Sequence, residues 1–271
     1  MPRKRGGETG AMPCLAARPS HTHMIALISD IHSNIEALEA VSADIADKKC
    51  EAIFCLGDVI GYGPDPKVCL DRSMAYPFAI MGNHDHAVFM EPLGFNTAAE
   101  RAVFWTRRVL EGEPQDAVRR RRWEFLAAME AVHRLDGILF THGSPRQPMH
   151  DYLFPDEAEL NLTKLTAAFD LIQGACFVGH THLPGVFKET YEFLTPTQLG
   201  HKYVLDDRRA IINVGSVGQP RDLDPRACYV TLDGRTVQWH RIPYDHKTTM
   251  EKILAIPDLD EFLANRLAEG R

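Results

Sequence analysis

The chain of 271 residues contains no apolar run near the ~20 residues needed to cross a bilayer. Its N-terminus, MPRKRGGETGAMPCLAARPSHTH, begins basic but has no apolar core of the kind a secretory signal carries. An excess of positive charge is also missing. Lys and Arg number 30 against 37 Asp and Glu, so the formal net charge is -7. That balance argues against broad electrostatic binding to nucleic acid or to an anionic membrane. Cysteine is scarce: six residues, at 14, 50, 55, 69, 176 and 228, with no C-x-x-C pair. A disulfide scaffold is thereby disfavoured, and a reduced, cytoplasmic protein is expected. There are no internal repeats and no linker rich enough to divide the chain. With 45% hydrophobic residues, one large core is within reach. Residues 1–23, rich in Gly, Pro and charge, read as a disordered tail ahead of one folded domain over 24–271.

What is present is a strand–helix rhythm. The run MIALISD is followed by a helix carrying Ile35, Leu38, Val41 and Ile45 on one face, with Ser33 and Glu36 in capping-box register. AIFCLGD and FAIMGNHD are further short apolar runs, and together they suggest an α/β arrangement with parallel strands. Residues 96–133 read as helices, GILFTHGSP and ACFVGHTHLPGVFKE as strands with loops, and ELNLTKLTAAFDLI as an amphipathic helix. After about residue 186 the texture changes to hairpins, with turns expected at Asp206–Asp207 and Asp233–Gly234. The C-terminal stretch reads as two short helices broken at Pro257.

The polar residues collect where these strands end. Five apolar runs stop at Asp30-Ile31-His32, Gly57-Asp58, Gly82-Asn83-His84-Asp85, Thr141-His142-Gly143 and Gly179-His180-Thr181-His182. Five of the thirteen histidines lie in these clusters. One such cluster is ordinary turn chemistry. Five of them, converging at the carboxyl ends of strands, read jointly as a metal site. Asp30, His32, Asp58, Asn83, His142, His180 and His182 are too many ligands for a single four-coordinate ion with an open position. They suit two divalent ions about 3.5–4 Å apart, bridged by a carboxylate and a water. The mixed donors fit borderline metals such as Mn, Fe, Zn, Co or Ni better than Ca or Mg, and Mn is the metal expected first. Two such ions, less two carboxylates and a hydroxide, leave a net positive charge that would attract an anionic ester.

The ordered set SDIHSN, GDVIGYGP, GNHD, THGSP and GHTHLP resembles the calcineurin-like metallophosphoesterases, nearest to their small bacterial and archaeal phosphodiesterases. NVGSVGQPRDLDPRACY resembles the stretch that follows the last His pair in those proteins. The resemblance implies a four-layer α-β-β-α sandwich. It implies that Asp30, His32 and His182 bind one metal, that Asn83, His142 and His180 bind the other, and that Asp58 bridges them. It makes His84 the general acid. One departure stands out: the family's phosphoprotein phosphatases read G-D-x-x-D-R-G, and here Gly61 and Tyr62 take the places of the second Asp and the Arg. The implied activity is hydrolysis of a small phosphodiester, phosphomonoester or dinucleoside polyphosphate by in-line attack of a bridging hydroxide. A nuclease, or a protein-interaction module on the same scaffold, are the alternatives. Asn34 reads equally as a substrate contact or as part of the helix cap. Arg221 reads equally as a substrate-binding cation or as a surface residue. Asp85 reads as a turn carboxylate, and the run Arg119–Arg122 as a solvated helix face.

Overall fold

The computed structural model describes residues 24–92 and 94–271. The segment 1–23, expected to be a disordered tail, lies outside the described residues. In chain order the strands are β1 Ile25–Ile28, β2 Ala52–Cys55, β3 Phe78–Ala79, β4 Val132–Leu135, β5 Ile138–Thr141 and β6 Ala175–Val178. They continue with β7 Gly185–Lys188, β8 Phe193–Leu194, β9 Lys202–Val204, β10 Ala210–Asn213, β11 Ala227–Asp233 and β12 Thr236–Ile242. The helices are α1 Ile35–Asp47, α2 Pro66–Ser73, α3 Asn83–Ala87, α4 Thr97–Glu111 and α5 Asp116–Ala128. They are followed by α6 Glu157–Leu160, α7 Leu162–Phe169, α8 His246–Leu254 and α9 Glu261–Glu269.

Two six-stranded sheets form, ordered β3-β2-β1-β11-β12-β9 and β4-β5-β6-β10-β7-β8. Alternation along each strand makes the layers, because successive side chains point to opposite faces. In β1, Ile25 and Leu27 meet Phe140, Phe177 and Ile212 of the second sheet, whereas Ala26 and Ile28 join the core beneath α1, α2, α4 and α5. In β10, Ile212 faces the first sheet and Ile211 packs with Leu165 and Phe169 of α7. The result is the four-layer α-β-β-α sandwich. Strands β1, β2 and β3 run parallel, as do β5, β6 and β10. Their carboxyl ends therefore deliver the five polar clusters to one end of the sandwich.

Several local expectations change. The cap of α1 is Asn34 rather than Ser33: its Oδ1 accepts from the Ala37 N–H at 3.1 Å. Residues 132–135 form β4 instead of extending a helix, since they pair with β5. The expected hairpin at Asp206–Asp207 is not one, because β9 joins β12 in the first sheet while β10 sits in the second. The hairpin of β11 and β12 is present, with Gly234 and Arg235 between the paired Asp233 and Thr236. Arg122 does not lie on a solvated face: it is 6% exposed and bonds Asp71 and Glu113. The described cysteines are free thiols, and no helix among the described residues is long and apolar enough to cross a membrane.

Candidate metal centre

The chain leaves β1, β2 and β6 through residues with left-handed backbone. Asp30, His32, Asp58, His180 and His182 all have φ between 48° and 65°. For non-glycine residues that geometry costs on the order of 1 kcal/mol or more each and persists only where surroundings enforce it. Here the loops after β1 and β2 lace together: the N–H groups of Asp30, His32 and Ser33 donate to the carbonyls of Gly57, Asp58 and Val59.

The histidine tautomers follow from their partners. His142 Nδ1 faces the Leu56 carbonyl at 2.8 Å, His182 Nδ1 the Gln219 carbonyl at 2.5 Å, and His32 Nδ1 the Ile60 carbonyl at 3.4 Å. A carbonyl can only accept, so each Nδ1 carries a proton, and Nε2 is the ring nitrogen turned inward toward the other polar groups. His32 Nε2 and His182 Nε2 then face each other at 3.2 Å, with Asp30 Oδ1 3.0 Å from the latter. Asp58 Oδ2 lies 3.7 Å from His32 Nε2 and 3.2 Å from His142 Nε2, and Asn83 Oδ1 is 3.1 Å from His142 Nε2. Asp30 Oδ1 and His180 Nε2 are buried without hydrogen-bond partners. Imidazole nitrogens crowded against carboxylate and amide oxygens, with orphaned Asp30 Oδ1 and His180 Nε2 among them, are a buried donor set that a cation satisfies and neutral packing does not.

Three overlapping groupings emerge among the described residues, Asp30–His32–His182, His32–Asp58–His84 and Asp58–His142–His180, each with ligand atoms within 4.8 Å of one another. Asp58 belongs to the last two, and Asn83 adjoins the third. This buried His/Asp arrangement fits a dinuclear metal site. Burial alone would raise the carboxyl groups of Asp30 and Asp58. The facing imidazoles, His182 and His142 for the first and His142 and His84 for the second, outweigh it and keep both ionised. Burial likewise works against charge on His142, yet Asp58 and Asp30 lift it to about 9. His32 and His180 are driven down by burial and remain neutral donors.

His84 stands beside this group. Its main-chain N–H donates to Asp58 Oδ1 at 2.8 Å, and its ring packs among His32, Tyr62 and Phe95 at 4.8, 4.3 and 4.8 Å between centroids. Its Nδ1 is buried without a partner, and burial lowers the imidazole to about 4 against the pull of Asp58. Asp85 does not pair with it. That carboxylate instead accepts from the N–H groups of Val59, Ile60 and Gly82 at 3.1–3.3 Å, tying the loop after β2 to the loop after β3.

Asn34 is 1% exposed, and its whole amide is engaged. Besides capping α1 it donates to the Gly218 carbonyl and the Tyr244 hydroxyl, and it accepts from Thr249 Oγ1. The structure gives it the cap and leaves no donor for a substrate. Arg221 is half-buried beside the centre, with Nη2 3.4 Å from the Tyr62 hydroxyl and 3.0 Å from Gln219 Oε1. A cleft of about 670 Å³ opens on Asn83, His84 and His180, walled by Tyr62, Phe95 and Tyr152. Tyr152 stacks on His180 at 3.7 Å between centroids. No motif pointed to Tyr152 or Phe95. Tyr62 carried a signal only as the residue standing where an Arg was expected.

Residues 24–236 match the calcineurin-like phosphoesterase superfamily domain. The chain belongs to that superfamily. An uncharacterised protein of Methanocaldococcus jannaschii is 38% identical over 259 residues, 92% of this chain and 98% of the relative. The crystal structure of a metallophosphoesterase from Sphaerobacter thermophilus is similar at 32% identity and TM-score 0.76, covering 93% of this chain and all of the other. A hypothetical protein from Pyrococcus horikoshii shares the fold at TM-score 0.71 and 19% identity, with 92% and 98% covered. Membership accounts for both sheets and for the order of the five strand-end clusters. It also makes the departure at Gly61 a difference within the superfamily.

Proposed function

We propose that the protein hydrolyses small phosphate esters at a dinuclear centre held by Asp30, His32 and His182 on one side, Asn83, His142 and His180 on the other, with Asp58 between. The observation that carries this reading is the inward convergence of buried His, Asp and Asn donors, with Asp30 Oδ1 and His180 Nε2 left without a protein partner, next to an open cleft. When bound, the two ions supply an activated water and neutralise charge at phosphorus, with Mn the first candidate metal. The second-sphere carbonyls of Leu56, Ile60 and Gln219 fix the imidazole tautomers. His84, lining the cleft, delivers a proton to the departing oxygen. Its imidazole is neutral at pH 7 in the free protein, and an anionic ester beside it raises its affinity for that proton.

The cleft favours a small ester over a folded protein or a duplex, and the complete donor set favours an enzyme over an interaction module. The testing experiment is elemental analysis of the purified protein, followed by a screen of chromogenic phosphate mono- and diesters with Mn, Ni, Co and Zn. Turnover that requires added metal and disappears with chelator is expected. A metal-loaded protein inert to every ester would overturn the reading.

A further inference from the structure

Most buried or half-buried arginines among the described residues are matched with a carboxylate. Arg122 pairs with Asp71 and Glu113, Arg209 with Glu189, Arg226 with Asp224, and Arg241 with Asp222. Two half-buried arginines beside the metal centre break the pattern. Among the described residues, neither Arg221 nor Arg266 forms an ion pair with an Asp or Glu side chain. Both guanidinium groups lie over the ring of Tyr62, at 5.9 and 6.0 Å from its centroid. The same ring touches His32 and His84 at 4.5 and 4.3 Å. Arg221 Nε is buried with no hydrogen-bond partner. Arg266 donates its Nε to the main-chain oxygen of Arg271, which leaves its terminal nitrogens. Burial, and then the charge of Arg221, lower the Arg266 guanidinium to about 10. Two like charges partly out of water, with no Asp or Glu side chain between them, favour an anion that joins them.

The pair is also held in place. The main-chain N–H of Arg221 faces the carbonyl of His182 at 3.4 Å, which fixes it next to a candidate ligand. Helix α9 ends at Gly270 in the left-handed conformation, φ 65°, and the Gly270 carbonyl accepts from the Leu223 N–H at 2.9 Å. That clamp joins the loop of Arg221 to the helix of Arg266. Leu263 and Leu267 of α9 pack in the same apolar cluster as Tyr62.

We infer that Arg221 and Arg266 form a second anion subsite, which receives a phosphate linked to the scissile one. The preferred substrates would then carry at least two joined phosphates, as a nucleoside diphosphate does. The inference rests on the phosphoesterase reading above. Arginine suits the task because its planar fork grips phosphate oxygens in pairs.

The test compares ADP with AMP as inhibitors of bis(4-nitrophenyl) phosphate hydrolysis by the full chain, with Mn in excess over nucleotide. Two charge-assisted contacts should make ADP bind roughly tenfold more tightly than AMP in the wild type. In Arg266→Gln and Arg221→Gln that ratio should fall to about twofold or less, with Arg266→Lys intermediate because it keeps the charge. The ratio is internal to each preparation, so partial misfolding does not imitate the result. A wild-type ratio near one, or a ratio unchanged in both Gln variants, overturns the subsite while normal diester hydrolysis leaves the phosphoesterase reading standing. A metal-loaded wild type that binds neither nucleotide and is inert to every mono- and diester screened overturns both.

Discussion

A methyl group placed on Gly61 would lie 2.5 Å from Nδ1 of His84 and 2.9 Å from its Cγ. The position where phosphoprotein phosphatases of the superfamily carry a carboxylate is here filled by the His84 ring itself. Gly61 also has φ 109°, a conformation that strains any side chain. The imidazole is therefore held by packing against His32, Tyr62 and Phe95 rather than by an acid.

Gly61→Ala should accordingly displace His84 without touching a metal ligand. Metal content should stay at the wild-type value while turnover of alkyl phosphodiesters falls by at least about tenfold, part of the usual worth of a general acid. Elemental analysis and steady-state kinetics on one preparation check both halves. Full activity in the variant would mean that the His84 position does not matter.

His84→Ala should act according to the leaving group. An alkoxide needs a proton and a nitrophenolate does not, so alkyl esters should slow by ~10²–10⁴ and nitrophenyl esters much less. With no carboxylate to orient the ring, the lower end is expected. Paired alkyl and aryl phosphodiesters at saturating Mn provide the comparison. Equal losses on the two would assign His84 to charge stabilisation at phosphorus instead.

Asp85→Ala should cost stability before it costs chemistry. It strands three buried N–H groups, for an expected loss of about 2–4 kcal/mol. Asp85→Asn, which keeps one carbonyl oxygen, should lose less. Urea denaturation of the two variants gives the ranking, and wild-type stability in Asp85→Ala would remove this carboxylate from the loop architecture.

Much of the candidate site was legible because its proposed ligands sit beside the strand ends that present them. Asp30 and His32 follow β1 directly, and His180 and His182 follow β6. The carbonyls of Leu56, Ile60 and Gln219 were not legible, since a backbone acceptor has no residue signature. Tyr152 reaches the candidate site, and Arg266 the ring of Tyr62, only through tertiary packing, from segments whose own pattern is plain. The misread hairpin at Asp206–Asp207 has a similar cause: alternation marks β9 and β10 as strands but not which sheet each joins. Arg122 looked solvated because its partners, Asp71 on α2 and Glu113 ahead of α5, are distant in sequence from one another.

Arg122→Met should lower the melting temperature by about 2–4 °C near pH 7, with the gap closing in acid. Hydrogen bonds from Lys67 and then Arg122 pull Glu113 down from 4.5 to about 2. A depressed carboxyl contributes stability above its unfolded value and loses it as pH falls through the folded one. The difference between wild type and variant should thus be constant above about pH 5.5 and shrink between pH 4.5 and 2. A gap that persists unchanged to pH 2 would assign the effect to packing of the arginine stem.

The most direct measurement is metal stoichiometry, by equilibrium dialysis against Mn followed by elemental analysis, on wild type and Asp58→Asn. Asp58 stands between the two groups of donors, so its charge is shared by both. The wild type should hold about two ions per chain and gain several degrees of melting temperature from them, as metal bound only to the folded state requires. Asp58→Asn should hold one or fewer and lose most of that gain. Two ions retained in Asp58→Asn would contradict the bridging role, and a wild type that binds none would contradict the dinuclear centre itself.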